Sequence, residues 1–216
     1  MIDFYSWSTP NGRKVSIMLE EAKLEYKLFP INIMKDDQFE KNFLEISPNN
    51  KIPAIYDHDN QVSMMESGAI LMYLSEKTGI FKPSNNEERW KRDEWLMFQM
   101  ASLGPMLGQV HHFVKFNSGK SAYAEDRYSK EALRIYGVLN TRLGISQYVA
   151  GNDYGIADIS IWPWIARFEW QNIDLKQFPN VLRWYKEIAS RDAVIKGYDI
   201  PSMGAEDFSF MLQKKR

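Results

Sequence analysis

IDFYSWSTPNGRKVSIMLEEA, residues 2–22, decides how the chain begins to fold. Ile2 to Trp7 alternates apolar and polar side chains, the period of a half-buried strand. Ser8-Thr9-Pro10-Asn11-Gly12 is a cluster of turn formers, after which Val15, Met18, Leu19 and Ala22 recur at helical spacing. The opening unit is therefore strand, turn, helix. Working outward, residues 26–33 read as a second strand, with Pro30 arguing for an edge position because it cannot donate to a ladder. Asp36 to Ile46 reads as a short helix, and Ile52 to Tyr56 as a strand opened by Pro53. Gln61 to Met64 reads as its hairpin partner, and Glu66 begins a helix running to about Lys77. This order predicts a small α/β unit with a partly parallel sheet.

Thr78-Gly79 and the polar stretch Lys82 to Glu87 read as a linker, which sets the expected domains at 1–80 and 87–216. Beyond it the periodicity is helical only. A long apolar helix beginning around Trp90 meets Gly104-Pro105, where proline should kink it. Ala122 to Leu143 reads as a second long helix. Ile156 to Trp170 is apolar enough for a helix buried in a bundle, and Pro179 opens another at a tolerated position. From Asp199 onward the pattern is irregular. Tyr154-Gly155-Ile156-Ala157-Asp158-Ile159 resembles a capping box with a hydrophobic staple, in which Asp158 reaches back to the Gly155 N–H.

Composition narrows the chemistry. The chain has 216 residues, long enough to bury a core without staples. Its net charge of -1 carries no footprint for nucleic acid or a membrane surface. It has no cysteine, so structural disulfides, thiolate metal sites and a cysteine nucleophile of its own are excluded. Any thiol chemistry must use a thiol that the substrate or cofactor brings. His58, His111 and His112 are too few and too poorly spaced for a convincing metal site, and no metal is expected. The N-terminal stretch does not read as a signal peptide, and no window approaches a membrane span, so a soluble cytoplasmic protein is expected.

Three segments can carry chemistry. At Ser8-Thr9-Pro10-Asn11 the helix N-terminus favours an anion such as a thiolate, with Thr9 and Asn11 as neutral donors; alternatively Thr9 or Asn11 only caps the helix. At Lys51-Ile52-Pro53-Ala54 a cis Ile52–Pro53 bond would turn the Ile52 backbone toward a peptide-like ligand, whereas an ordinary trans proline would mark a strand edge. At Glu66-Ser67-Gly68 a carboxylate and a hydroxyl can clamp an α-amino-acid group or simply cap a helix. His111 and His112, adjacent on a helix, point in different directions and read as packing or hydrogen-bonding residues.

The order and spacing of these segments resemble the glutathione transferases: a thioredoxin-like α/β N-terminal domain followed by an all-α helical-bundle domain. Within that family, Thr9-Pro10-Asn11-Gly12, Ile46-Ser47-Pro48-Asn49-Asn50-Lys51-Ile52-Pro53-Ala54-Ile55, Glu66-Ser67-Gly68-Ala69-Ile70 and Gly104-Pro105-Met106-Leu107-Gly108-Gln109 are similar to the nu class. These are bacterial disulfide-bond oxidoreductases related to the yeast nitrogen-regulatory prion protein. The resemblance implies a homodimer that takes glutathione, reduced or as its disulfide, as co-substrate and reduces small-molecule disulfides. It implies that Thr9 and Asn11 contact the glutathione sulfur and that Gln38, Lys51 and Ile52 hold the peptide. Glu66 and Ser67 would hold the γ-glutamyl end, and Arg127 would reach the site from the partner subunit. Two other readings stay open. One is a conjugating transferase acting on an electrophile, with Tyr5, Ser6 or Ser8 activating the thiol; the other is a non-catalytic glutathione-binding regulator.

Overall fold

β1 (Ile2–Ser6) pairs in parallel with β2 (Tyr26–Pro30) and antiparallel with β3 (Ala54–Asp57), which pairs antiparallel with β4 (Val62–Met65). The computed structural model describes residues 1–202, and in it the sheet order is β2-β1-β3-β4. β2 is thus an edge strand and Pro30 is its last residue, where its missing N–H costs the ladder nothing. The expected hairpin is present, with Ile55 opposite Met64.

Alternation along β1 gives the sheet two faces. Ile2, Phe4 and Ser6 are buried on one of them. Helix α1 (Pro10–Glu21) lies on that face, so close that a Cβ on Gly12 would collide with the Ser6 hydroxyl. Tyr5 turns to the other face, stacked on Phe29 at 4.9 Å and tilted against Phe43 of α2 (Lys41–Leu44) at 6.2 Å. α3 (Ser67–Thr78) packs against α1 and ends at Gly79, whose φ of 75° suits glycine.

The helix expected over Asp36–Ile46 is broken. Only α2 and a 3-10 turn at Asp37–Phe39 form, separated by Glu40 in an extended conformation. Side chains compete with the helix ladder here: the Asp37 carboxylate accepts the Asn32 N–H at 2.8 Å, and the Asn32 amide oxygen accepts the Met34 N–H at 3.0 Å. The same contacts stop β2 before residue 33.

By packing, and among the described residues, 1–82 and 190–202 form one compact unit and 83–189 another. α9 (Asp192–Tyr198), which the expected 87–216 domain had included, lies against α1. A Cβ on Gly197 would stand 2.6 Å from the Ile17 Cα, and Ser16 Oγ donates to the Gly197 carbonyl at 2.6 Å. Arg191 grips Glu21 with two hydrogen bonds, and Lys196 pairs with Glu20. Of the irregular tail expected from Asp199, residues 203–216 lie outside the described residues.

The second unit is helical throughout. α4 (Asn86–Phe98) starts inside the expected linker, because Asn85 caps it by accepting the Glu88 N–H at 2.9 Å. It runs through a π-helical stretch, Gln99–Leu103, into α5 (Gly104–Val110) and a second π-helical stretch, His111–Phe116. Pro105 deprives the Ala101 carbonyl of its usual partner, and the widened turn before it absorbs the mismatch. α6 (Ala122–Leu143) has the predicted bounds, and α8 (Pro179–Ala189) opens on its proline.

α7 (Ile156–Ile165) is buried over its whole length, and a short 3-10 turn, Phe168–Gln171, replaces its expected continuation to Trp170. Asp158 fastens its start. The carboxylate, 0% exposed, accepts the Gly155 N–H at 3.2 Å, the Val149 N–H at 3.0 Å and the Trp184 indole N–H at 2.7 Å. The reach back to Gly155 is as expected, and glycine itself supplies no capping hydroxyl.

Candidate functional site

The register of the sheet gathers three of the sequence segments. β1 ends opposite the start of β3 (Tyr5 against Ala54), and β3 starts opposite the end of β4 (Ala54 against Met65). The Trp7–Thr9 turn, the Ile52–Pro53 step and the Glu66–Ser67 helix start therefore emerge at one end of the sheet. β2, parallel to β1, ends there too, so the loop carrying Gln38 departs from the same end. Open α/β sheets bind ligands beyond the carboxyl ends of their parallel strands.

At the α1 N-terminus, Thr9 is the cap and its hydroxyl oxygen accepts the Gly12 N–H at 3.2 Å. Capping uses a lone pair of that oxygen, and a hydroxyl also has a hydrogen to donate, so the capping and donor readings of Thr9 are compatible. Asn11 follows at the second helical position, half-buried. Behind the turn stands Arg13, 1% exposed. Its Nη2 donates to Ser8 Oγ at 2.7 Å, its Nε to the Tyr198 carbonyl at 2.9 Å, and its guanidinium carbon lies 3.7 Å from the Tyr198 ring centre.

The Ile52–Pro53 bond is cis, the first of the two alternatives left by the sequence. Ile52 is half-buried and Lys51 exposed, and the Lys51 carbonyl accepts the Ser47 hydroxyl at 2.8 Å. Gln38, half-buried in the 3-10 turn, donates to Asp36 at 3.3 Å, while its side-chain oxygen is buried with no hydrogen-bond partner.

Glu66 precedes α3 with φ 69° and ψ 111°, a conformation that costs a non-glycine residue about 1–3 kcal/mol and persists where surroundings demand it. It is exposed, whereas Ser67 beside it is 4% exposed. Ser67 Oγ accepts from the Nζ of Lys14 at 3.2 Å, a contact that ties α1 to the start of α3. Lys14 is wholly buried, and burial pushes its ammonium down to about 7 although the Glu66 charge pulls the other way.

Arg127 is not among the gathered residues. It stands on α6 in the helical unit, lining a cleft of about 540 Å³ with Met106, Tyr123, Tyr128, Lys130 and Arg134. Among the described residues no group of side chains could hold a metal ion. His111 is buried against Trp164 and within 3.1 Å of Gln171, a packing and hydrogen-bonding role.

Of the three candidate thiol activators, Tyr5 lies on the α2 face of the sheet, away from the α1 turn. Its phenol is pushed up by burial and by the Asp3 charge, which is the wrong direction for supplying a phenolate. Ser6 is buried under Gly12. Ser8 is held by Arg13. We therefore expect Tyr5→Phe to keep thiol-dependent turnover within about twofold of wild type; steady-state rates of the purified variant check this.

Sequence reasoning missed Arg13 and Lys14. No local signal marked them, because a charged residue within a helix reads as solvent-facing until its neighbours are known.

The comparisons with known proteins agree on the family. Residues 4–84 match the glutathione S-transferase N-terminal domain model and residues 103–192 the C-terminal domain model. The chain is 48% identical over 198 residues to the disulfide-bond oxidoreductase YfcG of Escherichia coli, covering 89% of this chain and 92% of that protein. Among solved structures, it is similar to a glutathione transferase from Pseudomonas putida with one glutathione disulfide bound per subunit. There the TM-score is 0.87 at 41% identity, covering 93% of this chain and 91% of the other. Ure2p in complex with glutathione matches at 31% identity and a TM-score of 0.85, covering 91% of this chain and 97% of that one. The chain belongs to the glutathione S-transferase family.

Proposed function

We propose that the protein is a glutathione-dependent disulfide reductase of the nu class, cytoplasmic and homodimeric. Thr9 and Asn11 face the glutathione sulfur, Gln38, Lys51 and Ile52 hold the peptide, and Glu66 and Ser67 hold its γ-glutamyl end. Arg127 comes from the partner subunit. The observation that carries the reading is the α1 N-terminus. Two neutral donors and a helix dipole stand there, the tyrosine is turned away, and the chain has no cysteine to do the thiol chemistry itself.

The magnitudes suffice. A free thiol titrates near 8.5, and bringing it to about 6.5 needs roughly 2.7 kcal/mol of preferential thiolate stabilisation. A hydrogen bond to a charged group contributes about 1.5–3 kcal/mol and a helix N-terminus about 0.3–1. The bound thiolate attacks one sulfur of a disulfide, forms a mixed disulfide and releases the other half as a thiolate. A second glutathione thiolate then attacks the glutathione sulfur of the mixed disulfide, yielding glutathione disulfide and the second substrate thiol. Dimerisation is supported by Trp90 and Met97, 63% and 50% exposed and two turns apart on α4. A disulfide oxidoreductase among the relatives and glutathione disulfide in a similar structure support the substrate class.

Paired steady-state assays on the purified protein test this. Glutathione-dependent reduction of a model disulfide should be fast and conjugation to an aryl halide weak. Strong conjugation with weak reduction would sink the reading, and glutathione binding without either activity would favour a regulator.

A further inference from the structure

Arg13 holds the turn before α1 in two ways. Its backbone N–H donates to the Thr9 carbonyl at 3.0 Å, and its Nη2 donates to Ser8 Oγ at 2.7 Å. The two residues that lead into the helix are thus gripped by one residue a turn further on. The same guanidinium reaches α9: Nε donates to the Tyr198 carbonyl at 2.9 Å, and the guanidinium carbon lies 3.7 Å from the Tyr198 ring centre. Tyr198 is the last residue of α9 and wholly buried, and its carbonyl lies beyond the bonds that the helix makes within itself. α9 is in turn fixed on α1, where Ser16 donates to the Gly197 carbonyl and Arg191 grips Glu21. Turn, helix start and α9 therefore share one hydrogen-bonded frame that runs through the Arg13 fork. A guanidinium 1% exposed costs more to bury than an apolar side chain of the same length. What it supplies in return is geometry, since a planar fork fixes two acceptors at once.

We propose that Arg13 is a positioning residue for the thiol site: by bridging Ser8 to the end of α9 it fixes the turn that presents Thr9, and so keeps the donors of the helix start aimed at the bound sulfur. The inference rests on the glutathione reading above. Such donors stabilise a thiolate only when well aligned, because a hydrogen bond weakens steeply below about 120°. A turn released from Arg13 can tilt those donors while the Thr9 hydroxyl still caps Gly12. Gln38, Lys51, Ile52, Glu66 and Ser67 stand on other segments, so the hold on the peptide should survive.

The test reads the bound thiol directly, as thiolate absorbance of the full-length protein with glutathione across pH, with steady-state disulfide reduction alongside. Ser8→Ala and Arg13→Met should each raise the pKa of bound glutathione by about half to one unit. That lowers kcat at pH 6.5 by about two- to fivefold, while KM for glutathione stays within about twofold. The double variant should move the pKa no further than either single one, because both break the same link. Arg13→Lys keeps the charge without the fork and should resemble Arg13→Met. A folded Ser8→Ala with the wild-type thiol pKa overturns the proposal even if no Arg13 variant folds. Additive changes in the double variant overturn it too, since Ser8 would then act on the sulfur independently of Arg13. So does a wild-type pKa in Arg13→Lys, because charge alone would then suffice. A folded wild type that binds no glutathione overturns the glutathione reading and the proposal together, whereas indifferent variants of a binding wild type overturn the proposal alone.

Discussion

Asp158→Ala lowers the unfolding free energy by about 3–5 kcal/mol in a urea titration followed by tryptophan fluorescence, one of the two largest effects expected here. The substitution strands the Val149 N–H, the Gly155 N–H and the Trp184 indole N–H, all three satisfied by one buried carboxylate. Each stranded buried donor costs about 1–3 kcal/mol, and the whole stability of such a protein is about 5–15. The effect also depends on pH. Burial pushes the Asp158 carboxyl up to about 6, although the N–H donors pull it down. The unfolded chain loses this proton near 3.9, so between about 4 and 6 the folded protein binds more protons and this group's contribution falls as pH rises. The difference between wild type and variant should therefore be larger at pH 4 than at pH 7.5. A loss under 1 kcal/mol at both would show that α7 is held by packing alone.

Asn11→Ala lowers kcat/KM for disulfide reduction by about 10- to 100-fold and raises the pKa of bound glutathione by about one to two units, as loss of one charged hydrogen bond requires. The pKa is read from thiolate absorbance of the complex, the rate from steady-state reduction. Asn11 stands at the second position of α1, where a lost side chain leaves the Thr9 cap in place. Thr9 is different. Thr9→Ala removes a cap and a donor together, whereas Thr9→Ser keeps both and should retain most activity. Unchanged thiol pKa and turnover in Asn11→Ala would remove Asn11 from the chemistry.

Much of the fold was legible because the decisive patterns are local. The 2-residue period of Ile2–Ser6, the 3.6-residue period of α6, Pro30 at an edge and Pro179 at a helix start all follow from short-range sterics and hydrogen bonding. The reading went wrong where side chains capture backbone groups, as Asn32 and Asp37 do in breaking the expected helix at Asp36–Ile46. It also stopped short of α9, whose seven residues carry too little pattern to show that they close on α1 through Gly197.

The candidate site divides in the same way. The sequence by itself determined that no protein thiol could act, that a donor-bearing helix start follows the first strand, and that Glu66-Ser67 opens another. Those statements need only composition and order along the chain. Only the tertiary structure decided that these segments share one end of the sheet, because strand register is a pairing between distant residues. It also decided that Tyr5 faces α2, that Ile52–Pro53 is cis, and that Arg13 and Lys14 are buried beside Ser8 and Ser67. Burial is set by what the rest of the chain lays over a residue, and a charge early in a helix reads as solvent-facing until its neighbours are known.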